Sequence, residues 1–322
     1  MSKISIIIPC YYNEGNIPPL TAKLVDNEKG FPEGTEVEYV FVDDGSKDQT
    51  YQRLLYFHQQ YPDRVKVVKL AGNVGSHNAV LAGMHYATGD CCCMIAADLQ
   101  DPPELIPRLF EHWQKGIKLV IANRADREEG FIKKTFASFY HRMMKRYALK
   151  NIPENGFDVV LFDKQLQHEV VKISEKNSSQ TYLFAWLQFD YVTISYTRLK
   201  REIGKSRWTI SKKIKLFIDA FVSFSFFPIR AITFLGLSLG LISFLYGIFI
   251  IIAKLGGYVD VKGWAGIMAV ILLLSSFQMI ALGIIGEYVW RTLDASRNRP
   301  NFIVDEAVGI KPGEKPLSSS TL

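Results

Sequence analysis

Two stretches of this chain are apolar for long enough to cross a bilayer, and they decide its broad architecture. One runs from about Ile229 to Ala253 (IRAITFLGLSLGLISFLYGIFIIIA), the other from about Trp264 to Trp290 (WAGIMAVILLLSSFQMIALGIIGEYVW). A helix needs roughly 20 predominantly apolar residues to span the hydrocarbon. The connection KLGGYVDVKG is short, so the two spans form a hairpin. Basic residues crowd its outer ends: RLKREIGKSRWTISKKIK precedes it, Arg291, Arg297 and Arg299 follow it, and the connection holds only Lys254 and Lys262. Lys and Arg accumulate on the cytoplasmic side of a membrane. The expectation is a multi-pass protein of the inner (cytoplasmic) membrane with both termini cytoplasmic. Glu287, near the end of the second span, is expected at the interface or paired with a basic residue.

Ahead of the hairpin, WTISKKIKLFIDAFVSFSFF (208–227) sets lysines against Ile, Leu and Phe. That spacing predicts amphipathic helices on the membrane surface, with Lys212, Lys213 and Lys215 facing headgroups. The resulting division is an α/β domain over 1–207, interfacial helices over 208–228, the hairpin over 229–290 and a cytoplasmic C-terminal tail over 291–322.

Residues 1–207 alternate strands and helices. ISIIIPC, EVEYVFVDD, VKVVKL, CCCMIAA and KLVIANR read as strands. HNAVLAGMHYAT, closed by Gly89, and PELIPRLFEHWQK, closed by Gly116, read as helices. A βαβα rhythm with near-continuous apolar strands predicts a mostly parallel sheet with helices on both faces. Adjacent strand residues point to opposite faces, so the triplet Cys91–Cys93 is neither a zinc motif nor a disulfide framework. With Cys10 it reads as buried thiols in a reduced compartment.

In parallel sheets ligands bind beyond the carboxyl ends of the strands, and polar residues gather at those ends here: PCYYNEGN, DDGSKDQT, ADLQDPPE and NRADRE. Asp43 and Asp44 precede a turn glycine; a carboxylate there either receives a nucleobase or ribose or closes an Asx-turn. Asp98 and Gln100 can share one side of an extended segment and offer the oxygen ligands that Mg²⁺ or Mn²⁺ takes. Asp101, Pro102, Pro103 and Glu104 read as a helix start, with Asp101 as the cap. His77 opens a helix near these ends and reads as positioning or structural. The formal net charge of +6 favours anionic partners.

The order and spacing of PCYYNEGNI, VDDGSKDQT, GNVGSHNAVLAG, ADLQDPPELIP and the two-span tail resemble the family-2 glycosyltransferases of GT-A fold. The closer resemblance is to the polyprenyl-phosphate glycosyltransferases, which include dolichol-phosphate mannose synthases and bactoprenol glucosyltransferases. It covers nearly the whole chain. It implies that Pro9, Tyr11, Asn13 and Glu14 line a nucleotide pocket and that Asp43 and Asp44 hold the nucleoside. Asp98 and Gln100 would hold Mg²⁺ or Mn²⁺ and the donor diphosphate, and Asp158 would be the candidate general base. Arg201, Lys205 and Arg207 in the basic loop would clamp the diphosphate, the arginines bidentately. Arg124 and Lys133 match positions that receive the lipid phosphate.

The implied reaction is inverting transfer of a sugar, a UDP-hexose being the expected donor, to a polyprenyl phosphate such as undecaprenyl phosphate. The membrane and a second copy of the chain are expected partners; nucleic acid is not. The resemblance departs at Ala96, where the family commonly has an acid, and at Val160, where it often has arginine. Two alternatives stand beside this reading. One is a transferase for another acceptor, which would carry more spans and a QxxRW motif that this sequence lacks. The other is a catalytically silent membrane scaffold that keeps the fold.

Overall fold

A computed structural model describes residues 2–124, 142–149, 152–153, 159–175, 179–199, 219, 221–256, 263–311 and 316–317. The chain divides into two compact units, Met1–Ser223 with Pro300–Leu322, and Phe224–Arg299.

The first unit is built on one eight-stranded sheet in the order β7-β5-β6-β4-β1-β2-β3-β8. Its strands are β1 (Lys3–Cys10), β2 (Glu36–Asp43), β3 (Val65–Leu70), β4 (Cys91–Met94), β5 (Leu119–Arg124), β6 (Val159–Asp163), β7 (Tyr191–Tyr196) and β8 (Val304–Val308). β1 pairs in parallel with both β2 and β4, β2 with β3, and β5 with β7. β6 runs antiparallel between β4 and β5, and β8 antiparallel on β3. The sheet is therefore mostly parallel, as expected, with two reversed strands that apolar runs alone do not reveal. The helices are α1 (Ile17–Asn27), α2 (Thr50–Gln60), α3 (Ser76–Tyr86), α4 (Leu105–Gln114), α5 (Lys164–Ile173) and α6 (Gln180–Trp186).

Strand alternation sorts the core into two faces. Ile4, Ile6, Ile8, Tyr39, Phe41, Val65 and Val67 pack with Leu20 and Leu24 of α1, Leu54 and Phe57 of α2, and Leu109 and Phe110 of α4. On the other face α3 lies against β1 and β2, and α5 against β4 and β6. A Cβ on Gly83 would stand 2.3 Å from Ile7 Cγ2, so α3 sits this close to β1 only because the residue is glycine. The cysteine triplet divides as the strand period requires. Cys91 and Cys93 join the first core, and the Cys92 thiol meets Gln167 Oε1 of α5 at 3.4 Å. All four cysteines are buried and unpaired, and burial raises their thiol pKa values.

A charged cluster sits at the amino ends of β1–β3. Glu38 is 2% exposed and accepts from Ser5 Oγ, Thr88 N, Thr88 Oγ1 and Lys3 Nζ. Lys66 Nζ lies 3.1 Å from the same carboxylate. Burial by itself would raise this carboxyl's pKa, but Ser5, Lys66, Thr88 and Lys3 together hold it down at about 2.

The segment expected to be a tail is instead part of the sheet. Val304–Val308 forms the edge strand β8, with Lys69 paired to Asp305 at 2.6 Å. The main chain at Leu317 bonds to His85. The chain thus returns to the α/β unit after leaving it. A five-residue stretch whose three middle residues are all exposed carries little local strand signal; the unpaired edge of β3 recruits it.

The second unit holds α7 (Phe227–Leu255) and α8 (Trp264–Ser296), which pack against each other. Both are long and apolar enough to cross a membrane, over Phe227–Ile250 and Ala269–Ser296, with none of the most apolar windows buried inside the protein. Phe234, Leu237, Phe244 and Phe249 of α7 and Leu272, Leu273, Met279 and Ile280 of α8 point outward. Surface of this kind suits membrane association. α8 continues one and a half turns beyond the expected end at Trp290, and there Arg291 pairs with Glu287 at 2.9 Å. The amphipathic stretch falls mostly on 208–218 and 220, outside the described residues.

Candidate functional site

The strand order makes a switch point at β1: β2 and β3 extend the sheet on one side and β4 on the other. The carboxyl ends of β2, β1 and β4 are therefore neighbours, and a crevice at such a point is where open α/β sheets bind ligands. Pro9, Asp43 and the chain leading from β4 to Asp98 all end there. The main chain knits them together, with Asp44 N donating to Cys10 O at 2.8 Å and Ile95 N to Ile7 O at 3.1 Å.

After β1 the chain makes a tight turn in which Tyr12 adopts a φ of +54°. Its amide donates to Ser46 Oγ, and the Tyr11 ring stands edge-on to that of Tyr12. The polar side chains that follow serve the backbone. Asn13 Oδ1 accepts from Tyr11 N at 2.8 Å, and Glu14 Oε2 from Gln49 N at 2.9 Å, at the start of α2.

The two aspartates after β2 have different surroundings. Asp44 accepts from Asn73 Nδ2, Val74 N and Gly75 N at 2.7–3.0 Å, so its carboxylate organises the loop before α3. Gly45 has φ +70°, and a Cβ there would meet Gly72 C at 2.7 Å, which draws this turn onto the same loop. Asp43 is fully buried; Oδ1 accepts from Ser46 N at 3.2 Å, while Oδ2 has no hydrogen-bond partner in the structure. Burial raises its carboxyl pKa against the bonds from Ser46. A buried carboxylate oxygen without a donor is costly, and the asymmetry marks Asp43 rather than Asp44 as the group able to receive a ligand donor.

Asp98 and Gln100 lie in a turn just after β4, through Leu99 at φ +58°. Asp98 Oδ1 accepts from Gln100 N at 3.2 Å. Gln100 O accepts from Leu199 N at 2.9 Å, and Gln100 Nε2 donates to Leu199 O at 3.4 Å. Asp101 is not a helix cap. α4 begins at Leu105 without a side-chain cap, and the buried Asp101 carboxylate accepts from Tyr196 Oη and pairs with Arg198 Nε at 3.1 Å. Arg198 Nη2 also comes within 4.0 Å of Asp98 Oδ2. The capping reading fails because partners from the end of β7 and the chain just after it, distant in sequence, hold the side chain.

Tyr196 and Arg198 are site residues that the sequence reading missed. Arg198 lies inside RLKREIGKSRW, yet nothing in that stretch separates it from Arg201. Arg124 ends β5 opposite Tyr196 of β7. The His77 ring is buried, which lowers its pKa, and Nδ1 meets Ser179 Oγ at 3.2 Å, a positioning arrangement. Asp158, Lys133, Arg201, Lys205 and Arg207 lie outside the described residues. Val159, which follows Asp158, pairs with Ala122 near the carboxyl end of β5.

Among the described residues no three His, Cys, Asp or Glu side chains gather to hold a metal. A carboxylate at Asp98 and a carboxamide at Gln100 make a sparse oxygen set. That set fits Mg²⁺ or Mn²⁺, which complete their shells with water and substrate phosphates.

The profile of Glycosyl transferase family 2 matches residues 5–173. The chain is 34% identical over 310 residues to the uncharacterized glycosyltransferase sll0501 of Synechocystis sp., covering 96% of each protein. It is 33% identical over 303 residues to the bactoprenol glucosyl transferase of Shigella phage SfV, covering 94% of this chain and 98% of that one. Among solved structures it is similar to the mannosyltransferase PcManGT from Pyrobaculum calidifontis in complex with GDP-Man and Mn²⁺. That likeness has 14% identity, covers 92% of this chain and 87% of the other, and has a TM-score of 0.49.

Proposed function

The chain belongs to glycosyl transferase family 2 and is a glycosyltransferase; from that premise we propose that it moves a sugar from a nucleotide-sugar, a UDP-hexose, to a polyprenyl phosphate such as undecaprenyl phosphate. The observation that carries this reading is the convergence of Asp43, with its buried oxygen lacking a partner, and Asp98 at the ends of β2 and β4, on either side of β1. The first suits a nucleoside donor group and the second a diphosphate and its cation. The acceptor class is supported by the bactoprenol glucosyl transferase relative, matched over nearly its full length, and by the apolar hairpin.

In this mechanism the acceptor phosphate oxygen attacks the anomeric carbon as the bond to the nucleoside diphosphate breaks, inverting the configuration. Asp43 holds the nucleoside. Asp98 and Gln100 would hold Mg²⁺ or Mn²⁺, which when bound supplies charge stabilisation on the leaving diphosphate. Arg201 and Arg207, with Lys205, add to that stabilisation. Arg124 and Lys133 receive the lipid phosphate. A phosphate is already ionised near neutral pH, so Asp158 orients the acceptor as much as it takes a proton. The hairpin holds the enzyme at the cytoplasmic membrane face, where a poorly soluble acceptor is concentrated and oriented.

The test is transfer of radiolabelled sugar from a panel of nucleotide-sugars to undecaprenyl phosphate with Mg²⁺ or Mn²⁺. Labelled lipid from one donor is expected; no labelled lipid from any donor would leave the silent scaffold, to which Ala96 points, as the better reading. With the productive donor identified, Asp43→Asn is expected to raise the donor KM roughly ten- to hundredfold with a smaller effect on kcat, the scale of a lost hydrogen bond to a charged group. An unchanged donor KM would remove Asp43 from the nucleoside site.

A further inference from the structure

The turn that carries Asp98 is fastened to the chain that leaves β7. Leu199 exchanges hydrogen bonds with Gln100, and Tyr196 Oη donates to Asp101. Arg198 stands between two carboxylates three residues apart, 3.1 Å from Asp101 Oδ1 and 4.0 Å from Asp98 Oδ2. The Asp101 side chain is 3% exposed, that of Asp98 16%, and that of Arg198 23%. The arginine is therefore committed to the buried acid and only leans toward the exposed one. Without it, both carboxylates would lose a shared cation beside a turn that already holds Leu99 in left-handed backbone.

We propose that Arg198 is a positioning residue for glycosyl transfer: it is a counter-ion shared by both carboxylates of the 98–101 turn, setting Asp98 toward the donor diphosphate while competing with the divalent cation for the same carboxylate. This rests on the glycosyltransferase reading above, with Asp98 as a cation ligand. The competition has a purpose in physical terms. A single carboxylate shared with an arginine binds a cation weakly by itself, so tight binding waits for the donor diphosphate to supply further oxygens. Arg198 thereby couples cation binding to donor binding.

The two roles move two readouts in opposite directions, which a merely structural residue would not do. In full-length protein in detergent, with Mn²⁺ binding followed by the EPR signal of free Mn²⁺ and no donor present, Arg198→Ala is expected to bind Mn²⁺ about three- to tenfold more tightly, because a positive charge has left the vicinity. In the transfer assay the same variant is expected to lose roughly tenfold or more in kcat, because the turn is no longer held. Arg198→Lys keeps the charge and is expected to restore wild-type Mn²⁺ affinity with only part of the turnover. Tyr196→Phe loosens the turn without removing a charge and should lower turnover without tightening Mn²⁺. Arg198→Gln carries the criterion of Arg198→Ala should the alanine variant fail to fold. If wild type binds Mn²⁺ and the neutral variants bind it no more tightly, the inference falls and the glycosyltransferase reading stands. If wild type binds no Mn²⁺ even with the nucleoside diphosphate present, the assignment of Asp98 as a cation ligand falls, and this inference with it.

Discussion

Asp98→Ala is expected to lower kcat/KM for glycolipid formation by roughly a thousandfold, the scale of losing a principal charge-stabilising element at a leaving group. The expectation follows from how little oxygen the turn supplies. Ala96 contributes no side-chain oxygen, and Asp101 is buried and bonded to Tyr196 and Arg198. Asp98 is thus the one carboxylate between residues 96 and 101 placed to meet a cation, with Gln100 as its neutral companion. A chain with a second acid at position 96 could lose one ligand and keep weak activity; the 96–101 turn of this chain has no such reserve. Asp98→Asn, which keeps an oxygen and loses the charge, should fall between the two. The measurement is transfer under a Mn²⁺ titration, and activity within tenfold of wild type at saturating Mn²⁺ would show that Asp98 is not the ligand.

The second large effect is on stability and lies at the opposite end of the strands. Glu38→Ala is expected to destabilise the α/β unit by about 3–5 kcal/mol, because removing one partner of a buried pair leaves the other uncompensated. Lys66, with a side chain only 5% exposed, would keep its bond to Tyr86 O but lose the Glu38 counter-charge, and Lys3, Ser5 and Thr88 would lose their shared acceptor. The carboxyl's folded-state pKa, about 2 against an ordinary 4.5, sets the pH dependence. A lowered carboxyl pKa stabilises the fold above the unfolded value, and that stabilisation is lost as pH falls from about 4.5 toward 2. The gap between wild type and Glu38→Gln in denaturant unfolding should therefore be full near neutrality and shrink below about pH 4. A gap that stays constant into that acid range would show that the charge on Glu38 is not what stabilises the cluster.

Both predictions concern carboxylates, and the sequence distinguished them unequally. Asp98 stood out because it ends an apolar run at a strand's carboxyl end, where a parallel sheet opens its crevice. Glu38 sits inside the strand EVEYVFVDD and carries no comparable mark. Its alternation suggests an exposed face, yet the residue is buried, because α3 and the chain just after it cover that face of β1 and β2. Asp43 and Asp44 were equivalent in sequence. Folding separates them, giving Asp44 three donors from the 73–75 loop and leaving one Asp43 oxygen without a partner.

The sequence alone determined what depends on local pattern and length. Two apolar stretches of bilayer length, apolar strands alternating with helices, a cysteine triplet split between faces, and polar clusters closing the strands are properties of neighbouring residues. They suffice for a mostly parallel α/β unit, an apolar hairpin and the family. The tertiary structure decided what depends on partners distant along the chain. β6 reverses between β4 and β5, Val304–Val308 closes the edge of β3, and Asp101 turns from a helix cap into the anchor of Tyr196 and Arg198. A carboxylate's role is set by which donors surround it once buried, and a strand's direction by which edge is open to it. Neither is encoded within the few residues over which a sequence pattern can be read.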